Sequence, residues 1–461
     1  MFKMIFFILS VCACVLVDSA CAQDMWTWMG GAKTGCQTGV YGKKGLPDAA
    51  NAPGARFNSV SWFDSSGNLW LFGGSKVSND HRLTQRSDLW RYSPETGMWT
   101  WMSGAEKYNQ LGSYGTRGTP HTDNVPGARS DSISWIDKSG NLWLFGGYGR
   151  SSDDHKDRMN DLWRYNPRTK MWTWMSGSKF GYQSGVYGTK GAPDAANMPG
   201  ARGDSISWID GSGNLWLFGG YGRSSKDRTV RLNDLWRYSP STKMWRWMSG
   251  SKVGNKSGVY GIKNLPDAAN VPGARSDSVS WTDSSGNLWL FGGYGYSSDD
   301  HLVRLNDLWR YSLSTKMWTW MSGSKIGNQF GAYGTKGLSD AANVPGSRSG
   351  SISWVDKSGN LWLFGGQGCS SDDRFDRMND LWSYSPDTNE WAWMSGSKVG
   401  SQLGVYGTKG VGGNANVPGG RANSISWTDD SGKLWLFGGY GQSSDDRFDR
   451  LNDLWRYELP E

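Results

Sequence analysis

Asn141-Leu-Trp-Leu-Phe-Gly-Gly147 is an unbroken apolar run that stops on two glycines. It is too short for a helix and the right length for a buried strand. Before it, Asp131-Ser-Ile-Ser-Trp-Ile136 alternates small polar with large apolar residues, and Asp137-Lys-Ser-Gly140 joins the two as a tight turn. After it, Tyr148 to Asn160 reads as a polar loop, Asp161 to Tyr165 as a third strand, Asn166 to Lys170 as a turn and Met171 to Met175 as a fourth strand. Ser176 to Gly203 is rich in Gly, Pro and Asn and leads onward. The unit is a four-stranded antiparallel meander with one long connection.

The same unit is written six times. Phe72, Phe145, Phe218, Phe291, Phe364 and Phe437 of the Leu-Phe-Gly-Gly string stand 73 residues apart, and so do the Trp-x-Trp pairs that begin at Trp26, Trp99, Trp172, Trp245, Trp318 and Trp391. Five tryptophans per period account for all 30 in the chain. Sheets with large indoles on both faces must stack on one another, and six arranged radially close into an all-β propeller. A linear stack would need polar capping copies at its ends. Here the chain after residue 22 opens on a fourth-strand sequence, Met25-Trp-Thr-Trp-Met29, and ends on a third-strand sequence, Asp453-Leu-Trp-Arg-Tyr457. The expectation is a six-bladed ring with four strands per blade, closed by the N-terminal strand in the last blade.

Composition agrees. Glycine is 65 of 461 residues, charged residues are 20%, and no Lys/Arg run suggests nucleic acid despite a net charge of +7. Lys3, the apolar run Met4 to Val17 and Ala20-Cys21-Ala22 have the pattern of a secretory signal peptide, too short to span a bilayer. Two domains follow: residues 1–22 as signal and 23–461 as propeller, a monomer with no transmembrane segment after cleavage. The expected location is extracellular, or periplasmic in a bacterium. Only Cys36 and Cys369 remain beyond the signal, too few for a disulfide scaffold and read as two free thiols.

Two glycines after an apolar strand, then a tyrosine and a tryptophan at fixed offsets (Gly146, Gly147, Tyr165 and Trp172), resemble the kelch repeat. Pro-Gly-Ala-Arg before the first strand and Asn-Asp-Leu-Trp before the third are similar to secreted kelch proteins and to the central domain of galactose oxidase. That resemblance implies a kelch propeller, whose relatives include adaptors, sugar-binding domains, sialic acid mutarotases and copper oxidases. It assigns no activity by itself.

Strand order puts the long connections on one face, where binding is expected. The Pro-Gly-Ala-Arg element supplies Arg56, Arg129, Arg202, Arg275, Arg348 and Arg421, and the connection supplies Tyr41, Tyr114, Tyr187, Tyr260, Tyr333 and Tyr406. These twelve are the candidate ligand-binding residues, an anion- or sugar-binding mouth of guanidinium donors and rings. In the competing reading each arginine pairs with an acid such as Asp131 or Asp161 and each tyrosine pins its loop. Asp88, Asp161, Asp234, Asp307, Asp380 and Asp453 read as Asx-type turn caps. Asn255 heads the one glycosylation sequon.

An enzyme should break the symmetry. His81, His121, His155 and His301 are scattered, Glu is scarce, and the Asp153-Asp154 type of loop lacks the spacing of a calcium site. No catalytic residue, metal or cofactor is therefore assigned. The sequence reading is a secreted non-enzymatic module that binds a protein or glycan. Its alternative is a sugar-acting enzyme resembling galactose oxidase or a sialic acid mutarotase.

Overall fold

Alternation shapes the first strand of each unit. In Ile133–Ile136, Ile133 and Trp135 are buried while Ser134 and Ile136 are half-buried. Leu142–Arg150 pairs with it and with Lys156–Asn166, which pairs in turn with Met171–Ser176, every pairing antiparallel. The computed structural model describes residues 25–77, 83–226, 228–372 and 374–459, all β and with no helix among them. Residues 1–22, read as a signal peptide, and His81 lie outside the described residues.

The double glycine corrects one expectation. Gly146 and Gly147 have φ of +63° and +98°, and a Cβ on Gly147 would fall on the Ser132 hydroxyl and the Ser130 carbonyl. They form a bulge at which the register slips between Phe145 and Gly147. The ladder then continues: Tyr148 faces Arg158 on one side and Ser130 on the other. Tyr148 to Asn160 is therefore mostly a hairpin extension, not a loop, and it carries paired side chains beyond the bulge.

Neighbouring sheets share their cores. Val60, Trp62, Trp70 and Phe72 pack with Leu142, Leu144, Trp163 and Trp172 of the next sheet. Ile425, Trp427, Trp435 and Phe437 pack with Leu69, Leu71, Trp90 and Trp99. Along the axis, Trp62, Trp135, Trp208, Trp281 and Trp354 each donate an indole N–H to a carbonyl of the following sheet, at 2.9–3.1 Å. Trp427 Nε1 has no partner and stacks instead on Trp435.

The N-terminal strand Met25–Gly30 pairs antiparallel with Phe448–Glu458, Trp26 opposite Tyr457. Trp26 is 1% exposed and meets Phe364 of the fifth sheet edge-on at 5.3 Å.

Candidate active site at the channel mouth

The six arginines singled out in the sequence do not face the channel. Each is 1–2% exposed and turned into its own sheet. Its two terminal nitrogens clamp one aspartate at 2.7–2.8 Å: Arg56 with Asp88, Arg129 with Asp161, Arg202 with Asp234, Arg275 with Asp307, Arg348 with Asp380 and Arg421 with Asp453. Tyr41, Tyr114, Tyr187, Tyr260, Tyr333 and Tyr406 donate to the same carboxylates at 2.6–2.8 Å, and the Trp two residues after each aspartate donates as well. Arg129 spends its remaining donors on the Gly127 and Gly146 carbonyls. The twelve residues thus form six buried Arg–Asp–Tyr clusters, and no ring of free guanidinium groups exists at these positions. The aspartates are ion-pair partners, which corrects their reading as Asx caps. Burial alone would raise the Asp88 carboxyl, but the Arg56 charge and hydrogen bonds, with the Arg86 charge and the Tyr41 hydroxyl, together outweigh it and hold the group below its ordinary value.

Two residues beyond each buried arginine the repeat stops repeating. Asn58, Asp131, Asp204, Asp277, Gly350 and Asn423 all adopt φ between +55° and +67°. Each donates its backbone N–H to the carbonyl of the one before, at 2.7–3.1 Å, and Asn58 donates to Asn423. The backbone at the neck is therefore alike in every unit while the side chains differ. Three carboxyls occupy successive positions on one side of a neck of about 180 Å³.

Those three acids are held unequally. Asp131 accepts from the Ser130 hydroxyl at 2.8 Å and from the Asn58 amide. Asp277 accepts from Ser276 at 3.0 Å. The residue before Asp204 is Gly203, so no such hydroxyl is present, and its partners are the two flanking carboxyls. Burial, then the charges of Asp131 and Asp277, hold the Asp204 carboxyl well above the usual range. Burial pushes Asp131 up to about 6 and raises Asp277 as well. Burial and the flanking charges thus favour the neutral form of Asp204 more than that of its neighbours, an unequal pairing of the kind acid–base chemistry uses. Among the described residues no group of His, Cys, Asp or Glu could hold a metal ion.

Above the acids runs a belt of cations and rings, delivered by the hairpin extensions. The Arg158 guanidinium lies 5.2 Å from the Tyr148 ring and 4.3 Å from Tyr221 of the next sheet. Arg231 repeats this with Tyr221 and Tyr294 at 5.1 and 4.3 Å. Arg304 lies between Tyr294 and Phe375, Arg377 between Tyr440 and Phe448, and Arg450 on Tyr440. All five arginines are half-buried. Their charges reach the neck: Arg158 draws Asp204 down against its burial, and Arg231 and Arg304 do so for Asp277. The first sheet has Ser75 and Gln85 in the places of Tyr148 and Arg158, and the fifth keeps Arg377 but has Gln367 in the place of Tyr148.

Sequence reasoning missed both sets. The belt arginines fall in the stretch that the sequence reads as a loop, and of the neck acids only Asp131 enters that reading, as a possible partner for a buried arginine. The signal was present: along the 73-residue period, this column varies between Asp, Asn and Gly while the column after it is Ser in all six copies.

The remaining sequence candidates lie elsewhere. Asn255 is exposed and its side chain caps the Arg231 N–H at 2.9 Å, as Asn109 does for Gln85. His155 and His301 are exposed beside Asp153 and Asp299. Cys36 and Cys369 are both free.

The fold is that of a kelch-type β-propeller. The chain is similar over 218 residues, at 25% identity, to the N-acetylneuraminate epimerase of Escherichia coli (strain K12). The Shigella sonnei (strain Ss046) N-acetylneuraminate epimerase matches over 221 residues, also at 25%. Each match takes in 39% of this chain, which spans 56% of the length of those relatives. The solved structure of YjhT superposes with a TM-score of 0.51 at 13% identity, covering 90% of this chain and 95% of that one. No family model matches. The reading of the chain as non-enzymatic is corrected by these relatives, which carry the name of a sugar-acting enzyme.

Proposed function

We propose that this chain is a closed, six-bladed, exported propeller that isomerises an acidic sugar at its anomeric centre, as a mutarotase does. The observation that carries the reading is the neck, where a repeated backbone conformation presents three adjacent carboxyls held unequally. Opening a cyclic sugar needs a base on the anomeric hydroxyl and an acid on the ring oxygen. Asp131 is the base and Asp204 the acid, and Asp277 supports the proton on Asp204. The neck is smaller than the roughly 300–1,000 Å³ of a ligand pocket. It takes the reacting end, and the sugar's carboxylate lies against Arg158 and Arg231, whose forked donors suit it. Closure of the ring is supported by the Asn58-to-Asn423 hydrogen bond and by the packing of Ile425 and Trp427 on Leu69 and Leu71. Export rests on the pattern of residues 1–22.

The test is anomer exchange of N-acetylneuraminate followed by NMR on freshly dissolved sugar. Asp131→Asn and Asp204→Asn should each slow exchange by about 10²–10⁴-fold, the usual worth of a positioned acid or base. Full activity in both folded variants would reject the assignment.

A further inference from the structure

The face opposite the mouth carries a second departure from the repeat. In five units the third strand contains Leu-Trp-Arg-Tyr, and its arginine lies in the groove between that sheet and the next. Arg91, Arg164, Arg237, Arg310 and Arg456 place their guanidinium groups 5.7–5.9 Å from the rings of Trp70, Trp143, Trp216, Trp289 and Trp435. In the fifth unit the residue is Ser383.

The consequence is measurable within the molecule. The groove lined by Asp210, Trp216, Arg237, Met248 and Leu313 encloses about 280 Å³. Its counterpart two repeats on, lined by Asp356, Trp362, Ser383, Met394 and Leu459, encloses about 690 Å³. Both keep the same frame: Trp216 donates to Asp210 and Trp362 to Asp356, each at 2.8 Å. The larger cavity lacks the guanidinium, and it is also lined by Met25 and Lys433, with no counterpart of Lys316.

Charge says what fits. Asp210, Arg237 and Lys316 face the smaller groove, a formal sum of +1. Asp356, Lys357, Lys433 and Glu458 face the larger one, a formal sum of 0, and Glu458 is paired both with Lys433 at 3.1 Å and with Arg456 at 2.5 Å, which leaves Asp356 as its carboxylate without an ion-pair partner among the described residues. In the smaller groove burial and then the Arg246 charge weaken the Arg237 guanidinium's hold on its proton, and Asp210 and Tyr311 offset part of that. Asp356 holds the place of Asp210 here, beside the Trp362 ring, which itself packs 6.1 Å from Tyr457.

We propose that the cavity at Ser383 is a binding site for an alkylguanidinium group, taken up in trans where the sister grooves hold their own arginine. A planar cation that stacks on indole and donates to a carboxylate suits it, and a compact ammonium does not. The site lies outside the channel and does not depend on the proposed sugar chemistry.

Calorimetric titration of the whole protein with free arginine, N-acetylarginine methylamide and N-acetyllysine methylamide tests this. One site per chain is expected for at least one arginine form. The capped form would mark a polypeptide as the source, and the free form alone a small metabolite. Ser383→Arg should fill the cavity and weaken binding by at least about tenfold. Arg310→Ser should open the same cavity one sheet earlier and raise the stoichiometry to two, a reading that survives if Ser383→Arg does not fold. No arginine binding at millimolar concentration, equal binding of the lysine form, or unchanged binding in folded Ser383→Arg would overturn the site.

Discussion

Arg202 and Asp204 are two residues apart and have opposite fates. Arg202 turns inward and is consumed by Asp234, whereas Asp204 turns into the channel. Arg202→Ala leaves Asp234 buried with only Tyr187 and Trp236 as donors, a change worth about 3–5 kcal/mol. Its melting temperature should fall sharply while the KM for the sugar in surviving protein stays put. A raised KM at full stability would return that arginine to the site. Asp131 gives a pH signature. Its carboxyl titrates at about 6 in the folded protein, against about 3.9 in an unfolded chain. Between those values the folded state binds the extra proton, so this group's contribution makes stability fall as pH rises from about 4 to about 6. Asp131→Asn should flatten that slope in denaturant titrations. Anomer exchange should rise through about pH 6 as Asp131 becomes a base; a profile falling there would contradict its role. The Arg–Asp pairing was legible in the sequence as one of two readings, because a residue invariant over six repeats answers a packing need that all six share. The acids were harder to see, because a catalytic set shows only in what differs between copies.

At the scale of elements, the four-strand meander could be read residue by residue, since period-2 alternation and tight turns are local signals. The hairpin extension could not. Lys156 to Arg158 are polar and carry no apolar alternation, and their strand conformation comes from the bulge at Gly146 and Gly147, which keeps the ladder in reach. The belt of arginines follows from that extension, so Arg158 and Arg231 belong to a rigid sheet rather than a mobile loop. This predicts a clean kinetic separation. Arg158→Gln and Arg231→Gln should raise KM for an acidic sugar about tenfold or more, since hydrogen bonds to charged groups are worth roughly 1.5–3 kcal/mol. The melting temperature should hardly move, and the effect should weaken with added salt. Equal loss with a neutral sugar would mean the belt does not read charge. The N-terminal strand is the other element with a defined job. Trp26 fills the core between the fifth and sixth sheets, so Trp26→Ala should cost about 3–5 kcal/mol, read as a lower unfolding midpoint.

For the whole molecule, the joints between sheets are not equivalent. Five are riveted by an indole N–H to a carbonyl of the next sheet, and the sixth, between the last sheet and the first, has Trp427 Nε1 without a partner. The chain crosses that joint from Met25–Gly30 in the last sheet to Val60–Phe63 in the first, as it crosses the others, so the missing bond is what sets it apart. Apolar packing remains, through Trp99 on Phe437 at 5.4 Å and Tyr92 on Trp435 at 6.2 Å. A buried donor left unpaired costs about 1–3 kcal/mol, which is enough to make one joint the first to open. Native-state hydrogen exchange should therefore show lower protection in Val60–Phe63 and Ile425–Thr428 than in Ile206–Ile209 and Val279–Thr282, which lie across the ring with both indole bonds made. The contrast has a control in the same molecule. Trp281→Phe removes the bond to the Trp362 carbonyl and should lower protection at its own joint toward that of the sixth, whereas Trp427→Phe removes no bond and should change little. Uniform protection around the six inner strands, or equal effects of the two substitutions, would show that the unpaired indole does not weaken the joint.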